Sequence, residues 1–127
     1  MKKEGVSVIV GNWLTDAQET YAAALFNFKG KHLKVAAYLS QQAAEKALKA
    51  IYIKMNGELL RTHDVQLLAK KIGAEADIAK KGALLNPLYT ESRYPDFEEG
   101  ITAYTPEEVQ EALNNAAEVI AWAKKKI

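Results

Sequence analysis

Residues 41–50 read QQAAEKALKA, and this run decides the fold class. It lies within residues 32–55, where apolar side chains recur at three- and four-residue steps, the spacing of one face of an α-helix. Its four alanines favour a helix and let neighbouring helices approach closely. Because Asn56 and Gly57 follow as a stop signal, we predict a long helix over residues 32–55 that is packed on more than one side. Its predicted core stripe is Leu33, Ala37, Ser40, Ala44, Ala47, Leu48, Ile51 and Met55.

A first helix is predicted upstream, from Asn12 to Gly30, since a glycine directly after a lysine is typical of a helix C-terminus. Residues 6–10 (VSVIV) are short and mostly β-branched, so they suit either an extended segment or the lead-in to this helix. We therefore assign residues 1–11 to an N-terminal extension and residues 12–127 to a helical domain. The predicted core stripe of the first helix is Trp13, Leu14, Ala17, Tyr21, Ala24, Leu25 and Phe28.

Two further helices are predicted in the middle of the chain. Thr62 is the predicted N-cap of a short helix that carries Asp64 in its first turn and ends at Gly73. A longer helix is predicted over residues 75–89. Pro87 is expected to kink this helix or end it early, because a proline ring clashes with the carbonyl group one turn before it.

The last helix has the clearest start signal. Thr105, Pro106 and Glu108 supply an N-cap, a proline at the first helical position and the glutamate of a capping box. Residues 92–104 before it show no periodicity and are predicted to form a loop. Four main helices and one short helix with short connections predict an all-α, up-and-down antiparallel bundle. The predicted core stripe of the last helix is Val109, Leu113, Ala116, Ile120, Ala123 and Ile127.

The composition limits the possible functions. A chain of 127 residues suits one domain, and a net charge of +1 gives no global field towards nucleic acid or membrane, so a role there needs a local basic patch. The absence of cysteine excludes disulfides and cysteine chemistry. No apolar run approaches the roughly 18 residues of a membrane span, and we see no export signal. We expect a cytoplasmic protein without membrane contact. Since phosphate-loop, serine-nucleophile and metal-ligand patterns are absent, no metal and no cofactor are predicted.

His63 and Asp64 form the first candidate site. An imidazole at a helix N-terminus, beside free backbone N–H groups, could bind a phosphate or a nucleotide. The alternative is structural, because polar side chains at this position commonly cap the helix and tie down the preceding loop.

Arg93, Tyr94 and Asp96 form the second candidate site, around Pro95. An arginine offers a planar fork for phosphate or carboxylate, and a tyrosine can stack on a base. In the structural alternative, Pro95 fixes a turn, Arg93 pairs with a nearby carboxylate and Tyr94 seals the end of the bundle. Functional residues often gather on loops that a scaffold positions.

A mixed polar and aromatic stripe lies nearly opposite the core stripe of the long helix. It could form a dimer interface or line a groove, and we favour the interface because tyrosines and alanines make poor solvent-facing surface. The alternative is a solvated face with an ion pair between Glu45 and Lys49. Three lysine groups, at residues 70–71, 80–81 and 124–126, could form one basic patch if their helix ends converge, or could simply be solvated. The stripe consists of Tyr38, Gln42, Glu45, Lys49 and Tyr52.

Three segments, in this order along the chain, are similar to the prokaryotic HEPN domain family: residues 42–50 (QAAEKALKA), residues 62–65 (THDV) and residues 92–96 (SRYPD). The resemblance covers residues 12–126. It implies a helical bundle that is often dimeric and is often encoded beside a small nucleotidyltransferase, in pairs that behave as toxin–antitoxin systems. Many family members are metal-independent ribonucleases, whose site uses an arginine followed four to six residues later by a histidine and forms across a dimer.

This chain departs from the ribonuclease pattern, because His32 and His63 are its two histidines, Arg61 precedes His63 by two residues and no histidine follows Arg93. The first hypothesis is therefore a non-catalytic module that dimerises and binds a nucleotide, an RNA or a nucleotidyltransferase. The second is a ribonuclease with a variant site, in which His63 and Arg93 meet in space as base and cation. A purely structural helical dimer is the third.

Overall fold

The computed structural model describes residues 3–92 and 104–127, with side chains from residue 5 onward. This part of the chain contains five helices and no strand, which confirms the predicted all-α, up-and-down antiparallel bundle of four main helices and one short helix. Apart from its two end residues, the loop predicted over residues 92–104 lies outside the described residues. The helices are α1 (Lys3–Lys29), α2 (Leu33–Asn56), α3 (Val65–Lys71), α4 (Ala76–Glu91) and α5 (Pro106–Lys126).

Helix α1 includes residues 6–10, which are therefore helical and not extended. Val10 is buried and packs with Ala50 and Ile53 of α2, so tertiary packing overrides the β-propensity of this run. The helix passes the predicted division at residue 11 without interruption, and that division stays a prediction.

Helix α2 contacts all four other helices, which confirms that it packs on more than one side. The α1–α2 contact is also polar at one point, where Lys46 Nζ lies 2.8 Å from Asp16 Oδ2 and donates to Thr20 Oγ1 at 3.0 Å. The core prediction is wrong for Met55, which is 58% exposed. Met55 lies in the last turn of α2 and lines an open cleft at that end of the bundle.

The start of α3 differs from the prediction. Its N-cap is Asp64, whose carboxylate accepts a hydrogen bond from Leu67 N at 2.9 Å. Thr62 lies outside the helix, and its hydroxyl accepts from Asp64 N at 3.1 Å. The predicted N-cap at Thr62 is therefore wrong, because only a side chain directly before the first helical residue reaches the free N–H groups of the first turn.

The sequence predicts a kink or an early end at Pro87, and the early end does not occur, because α4 continues past Pro87 to Glu91. Proline removes its own N–H, but the bonding pattern resumes beyond it, as Ser92 N donates to Leu88 O at 3.2 Å. The helix crosses α3 closely at Gly82, where an added Cβ would lie 2.9 Å from backbone atoms of Val65 and Gln66.

Helix α5 begins as predicted. Thr105 Oγ1 accepts from Glu108 N at 3.1 Å, and Glu108 Oε1 accepts from Thr105 N at 2.8 Å, which confirms the capping box. Its predicted stripe is buried except for Ile127, which follows the helix and is 48% exposed. Within residues 3–92 and 104–127, no helix has the length and apolar character that crossing a membrane requires.

Candidate functional site

A buried carboxylate lies at the centre of the candidate site. Glu45, on α2, is 3% exposed, and its Oε1 accepts from the side-chain amides of Gln41 and Gln42, each at 3.3 Å. Its Oε2 accepts from Lys49 Nζ at 2.8 Å, one turn further along the helix. A buried charge is tolerated only when it is paired and hydrogen-bonded, and these donors meet that requirement.

His63 lies on the loop before α3 and is held against this carboxylate. Its Nδ1 is 3.1 Å from Glu45 Oε1, and its ring stacks on Tyr89 with centroids 4.0 Å apart. An ionised carboxylate only accepts hydrogen bonds, so we assign the ring proton to Nδ1, which leaves Nε2 as the acceptor of the neutral ring. The side chain is 57% exposed. The imidazole is thus fixed on two sides and open to a ligand.

The backbone around His63 is fixed as well. Gln41 Nε2 donates to the His63 carbonyl at 2.9 Å. From α4, Asn86 Nδ2 donates to Asp64 Oδ1 at 2.8 Å, and Asn86 Oδ1 accepts from Val65 N at 2.8 Å. Asp64, a predicted ligand-binding residue, therefore already caps α3 and ties it to α4. This agrees with the structural alternative for Asp64, while its role in ligand binding stays a prediction.

The sequence does not reveal Asn86 and Tyr89 as parts of this site. Both lie on α4, more than twenty positions from His63, and no local motif marks them. Tyr89 also approaches Tyr38 of α2, with ring centroids 6.1 Å apart, so the ring that borders the imidazole lies near a second aromatic ring. Only the crossing of α2 and α4 brings these side chains together.

The predicted stripe on α2 splits into two kinds of residue. Glu45 and Lys49 form the predicted ion pair but are 3% and 6% exposed, so they are buried within the chain and not solvated. Lys49 Nζ lies 5.8 Å from the ring centroid of Trp13. Tyr38, Gln42 and Tyr52 are half-buried and are the members that can offer surface to a second subunit. The interface role of the stripe stays a prediction.

The second candidate site, with Arg93, Tyr94, Pro95 and Asp96, lies outside the described residues. Tyr89, beside His63, precedes Arg93 by four positions in the chain. The meeting of His63 with Arg93 stays a prediction.

The lysine groups do not all belong together. Lys81 is bound on α4 by Asp77 at 3.0 Å and by Glu118 of α5 at 3.4 Å, and the hydrogen bond to Asp77 is the main reason why the pKa of Lys81 is raised. Residues 70–71 and 124–126 lie at the ends of α3 and α5. In the part of the chain that the structure describes, no three histidine or carboxylate side chains come together as a metal site.

Known proteins share this chain's sequence pattern and fold. The family model of the HEPN domain matches residues 10–127. The candidate toxin MJ1304 of Methanocaldococcus jannaschii is 30% identical over 124 residues, which cover 85% of this chain and 81% of that protein. TT1696 from Thermus thermophilus superimposes with a TM-score of 0.83 at 25% identity, covering 93% of this chain and 98% of that one. ST0689, an archaeal HEPN homologue, has a TM-score of 0.78 at 32% identity, covering 92% and 96%. The chain therefore belongs to the HEPN domain family.

Proposed function

We propose that this chain is a toxin-type HEPN module that binds a nucleotide or RNA at His63 and acts with a nucleotidyltransferase in a toxin–antitoxin-type pair. The observation that carries the binding role is the exposed His63 imidazole, held by buried Glu45 at 3.1 Å and by the Tyr89 ring. The toxin role is supported by the 30% identity to the candidate toxin of M. jannaschii. The nucleotidyltransferase partner is inferred from the family resemblance.

The chemistry around His63 suits a phosphate-bearing, base-containing ligand. Its Nε2 can accept a hydrogen bond from a ribose hydroxyl when the ring is neutral, and it can donate to a phosphate oxygen when the ring is protonated. The ring of Tyr89 borders it, the ring of Tyr38 lies near Tyr89, and both are of the type on which bases stack. We include Arg93, Tyr94 and Asp96 in this proposed site as the phosphate fork, a further base contact and a polar partner.

A second candidate function is metal-independent RNA cleavage, and the pair of Glu45 and His63 favours it. A carboxylate that orients an imidazole is a common arrangement for a general base. In this reaction His63 Nε2 takes the proton of a ribose 2′-hydroxyl, the 2′-oxygen bonds to the adjacent phosphorus, and the 5′-oxygen leaves with a proton from solvent. Arg93 would stabilise the charge that develops on the phosphate.

Incubation of single-stranded RNA with the wild-type chain, His63→Ala and the matched control His32→Ala tests both functions. Binding should weaken by about tenfold or more in His63→Ala, which corresponds to about 1.4 kcal/mol, and should not change in His32→Ala. Cleavage by the wild type and by His32→Ala, but not by His63→Ala, would establish the ribonuclease. RNA binding that is identical in all three proteins would overturn the role of His63.

The partners are tested separately. We propose a cytoplasmic homodimer in which Tyr38, Gln42 and Tyr52 of α2 face the second subunit. Light scattering should then give about twice the 14.0 kDa of the chain, and Tyr52→Glu should shift it towards the monomer.

Co-expression with the nucleotidyltransferase encoded nearest the gene should relieve growth inhibition and allow co-purification. A monomer that inhibits no growth would contradict both partner proposals.

A further inference from the structure

Three helices end at the same end of the bundle and enclose a cleft there. The cleft has a volume of about 310 Å³ and is lined from the last turns of α2 and α5 and from the residues after α3. The apolar side chains in its wall are those of Ile51, Met55, Ile72 and Trp122, and two lysines, Lys54 and Lys126, also line it.

Six exposed lysines lie at the ends of these three helices, and two of them, Lys54 and Lys126, line the cleft; we call the six the lysine cluster. They occupy the last turns of the three helices. The C-terminus of a helix carries roughly half a negative charge, so three such ends offset only about 1.5 of the six positive charges. The result is a local basic patch on a chain whose net charge is only +1. The lysine cluster consists of Lys54, Lys70, Lys71, Lys124, Lys125 and Lys126.

Within the described residues, most of this charge has no partner in the chain. Lys54 Nζ donates to Lys126 O at 2.6 Å and to Ile127 O at 3.3 Å, and Lys126 Nζ lies 5.3 Å from the ring centroid of Trp122. The carboxylates that form salt bridges in the described part of the chain do so with Lys46, Lys49, His63 and Lys81, and none does so with a member of the lysine cluster. In the described part of the chain, the positive charge of the lysine cluster is therefore not neutralised by internal salt bridges.

Trp122 supplies an independent observation. Its indole Nε1 is buried and has no hydrogen-bond partner, whereas buried polar groups normally have one. The same side chain lines the cleft, so an unpartnered donor belongs to its wall. The cleft thus combines an apolar wall, an unused donor and flanking cations.

We infer that the cleft and the lysine cluster bind single-stranded RNA, with a base in the cleft and the phosphates on the lysines. Single-stranded nucleic acids are generally held in this way, by cations along the backbone and by aromatic rings against the bases. The inference rests on the proposed RNA-binding function and adds a second contact surface to it. His63 lies just before α3, and Lys70 and Lys71 lie at the end of this helix. Because seven helical residues span about 10 Å, one RNA strand can contact both His63 and these lysines.

Fluorescence anisotropy with a labelled single-stranded RNA of about 12 nucleotides tests the lysine cluster. Lys124→Glu/Lys125→Glu should lower the affinity about tenfold or more at low salt. The negative slope of log affinity against log salt should become shallower by about 1.4, or about 0.7 for each lysine. The matched control is Lys29→Glu/Lys31→Glu, which makes the same charge change at the end of α1 and in the link to α2, at the opposite end of α2. Circular dichroism checks that each variant is folded.

The cleft itself is tested with Met55→Glu. This side chain is 58% exposed, so the substitution should leave the fold intact while placing a negative charge beside the base. The control is Phe26→Glu, at a 77% exposed position near the opposite end of the bundle. Affinity should fall in Met55→Glu and stay within about twofold of wild type in Phe26→Glu.

The outcomes separate this inference from the function on which it rests. Equal losses in the cluster variant and its control, or no loss in either, would overturn the inference. If Lys124→Glu/Lys125→Glu binds RNA as the wild type does but His63→Ala does not, the inference fails and the proposed function stands. If only the lysine variant loses binding, the role of His63 fails and the inference stands. A wild-type chain that binds no RNA contradicts both.

Discussion

Helix α2 has two buried faces, one apolar and one polar. Ala37 and Ala44 belong to dry clusters in which small side chains let the helices approach closely. Gln41, Glu45 and Lys49 are equally buried, yet they bring charges and amides out of water. Apolar residues of similar volume would often stabilise a fold as well or better than a buried ion pair. From this difference we propose that the polar face serves to present His63 and does not serve mainly to stabilise the fold.

The largest effect should come from Glu45→Leu, because it leaves the Lys49 ammonium buried without its partner. Removing one member of a buried pair costs about 3–5 kcal/mol of unfolding free energy. Urea denaturation followed by circular dichroism measures this loss. A change below about 1 kcal/mol would mean that Lys49 reaches solvent easily and that this face of α2 is not truly buried.

The double variant Glu45→Leu/Lys49→Met sharpens the comparison. It removes both charges, while Gln41 and Gln42 keep other partners, the His63 carbonyl and the Gln41 side chain. We expect unfolding free energy within about 1–2 kcal/mol of wild type but loss of RNA binding at His63. A stable double variant that binds RNA normally would show that the polar face has no role in presenting His63.

The next effect concerns two helical glycines, one packed against a neighbouring helix and one with open space around it. Gly82→Ala should cost about 1–3 kcal/mol, because the new Cβ would lie 2.9 Å from the backbone of α3. Gly11→Ala is the matched control on α1, where an added Cβ meets nothing within 4 Å, and should stabilise by up to about 1 kcal/mol. Thermal unfolding of both variants measures the contrast. Equal shifts would mean that α3 and α4 are not in close contact at Gly82.

The sequence predicts the helices well because periodicity and capping are local properties. Thr105 and Glu108 form the predicted capping box without help from the rest of the chain. The open and the wrong predictions lie where distant residues decide. The sequence leaves residues 6–10 open between an extended segment and the lead-in to a helix, and they are helical, with Val10 packed against α2. Met55 is predicted in the core but is exposed, because the core does not extend over the last turn of α2.

The candidate site was predictable only in part. His63 is conspicuous in the sequence because histidines are few and this one precedes a helix. The sequence places Glu45 on a polar stripe, but whether that stripe is buried or solvated depends on the loop and on α4. Asn86 and Tyr89 have no local signal, since their contacts with the loop span more than twenty residues.

A smaller effect is expected at the cap of α3. Asp64→Ala removes the hydrogen bonds to Leu67 N and Asn86 Nδ2 and should cost about 1 kcal/mol. Chemical denaturation measures the loss, and Asp64→Asn, which keeps an acceptor, should recover most of it. If Asp64→Ala is as stable as wild type, the loop that carries His63 is held by other contacts.

The smallest effect concerns Tyr104, remote in sequence from both faces of α2. Burial, aided by Glu91, raises the pKa of Tyr104 to about 12. The folded state thus favours the neutral phenol of Tyr104 over the phenolate. The stabilisation that the neutral phenol contributes is complete below pH 10 and is lost as the pH rises through about 12. Tyr104→Phe should therefore lose less unfolding free energy than wild type between pH 10 and 12. Parallel pH profiles for the two proteins would contradict this assignment.

Nuclear magnetic resonance of the two histidine rings tests the central claim most directly. The chain has His63 at the proposed site and His32 at the start of α2, so one serves as the internal control for the other. With ¹⁵N-labelled histidine, free His63 should show the tautomer with the proton on Nδ1, and titration with single-stranded RNA should shift its Nε2 signal while His32 stays unchanged. A His63 signal that does not respond to RNA, or that moves no more than His32, would contradict the account.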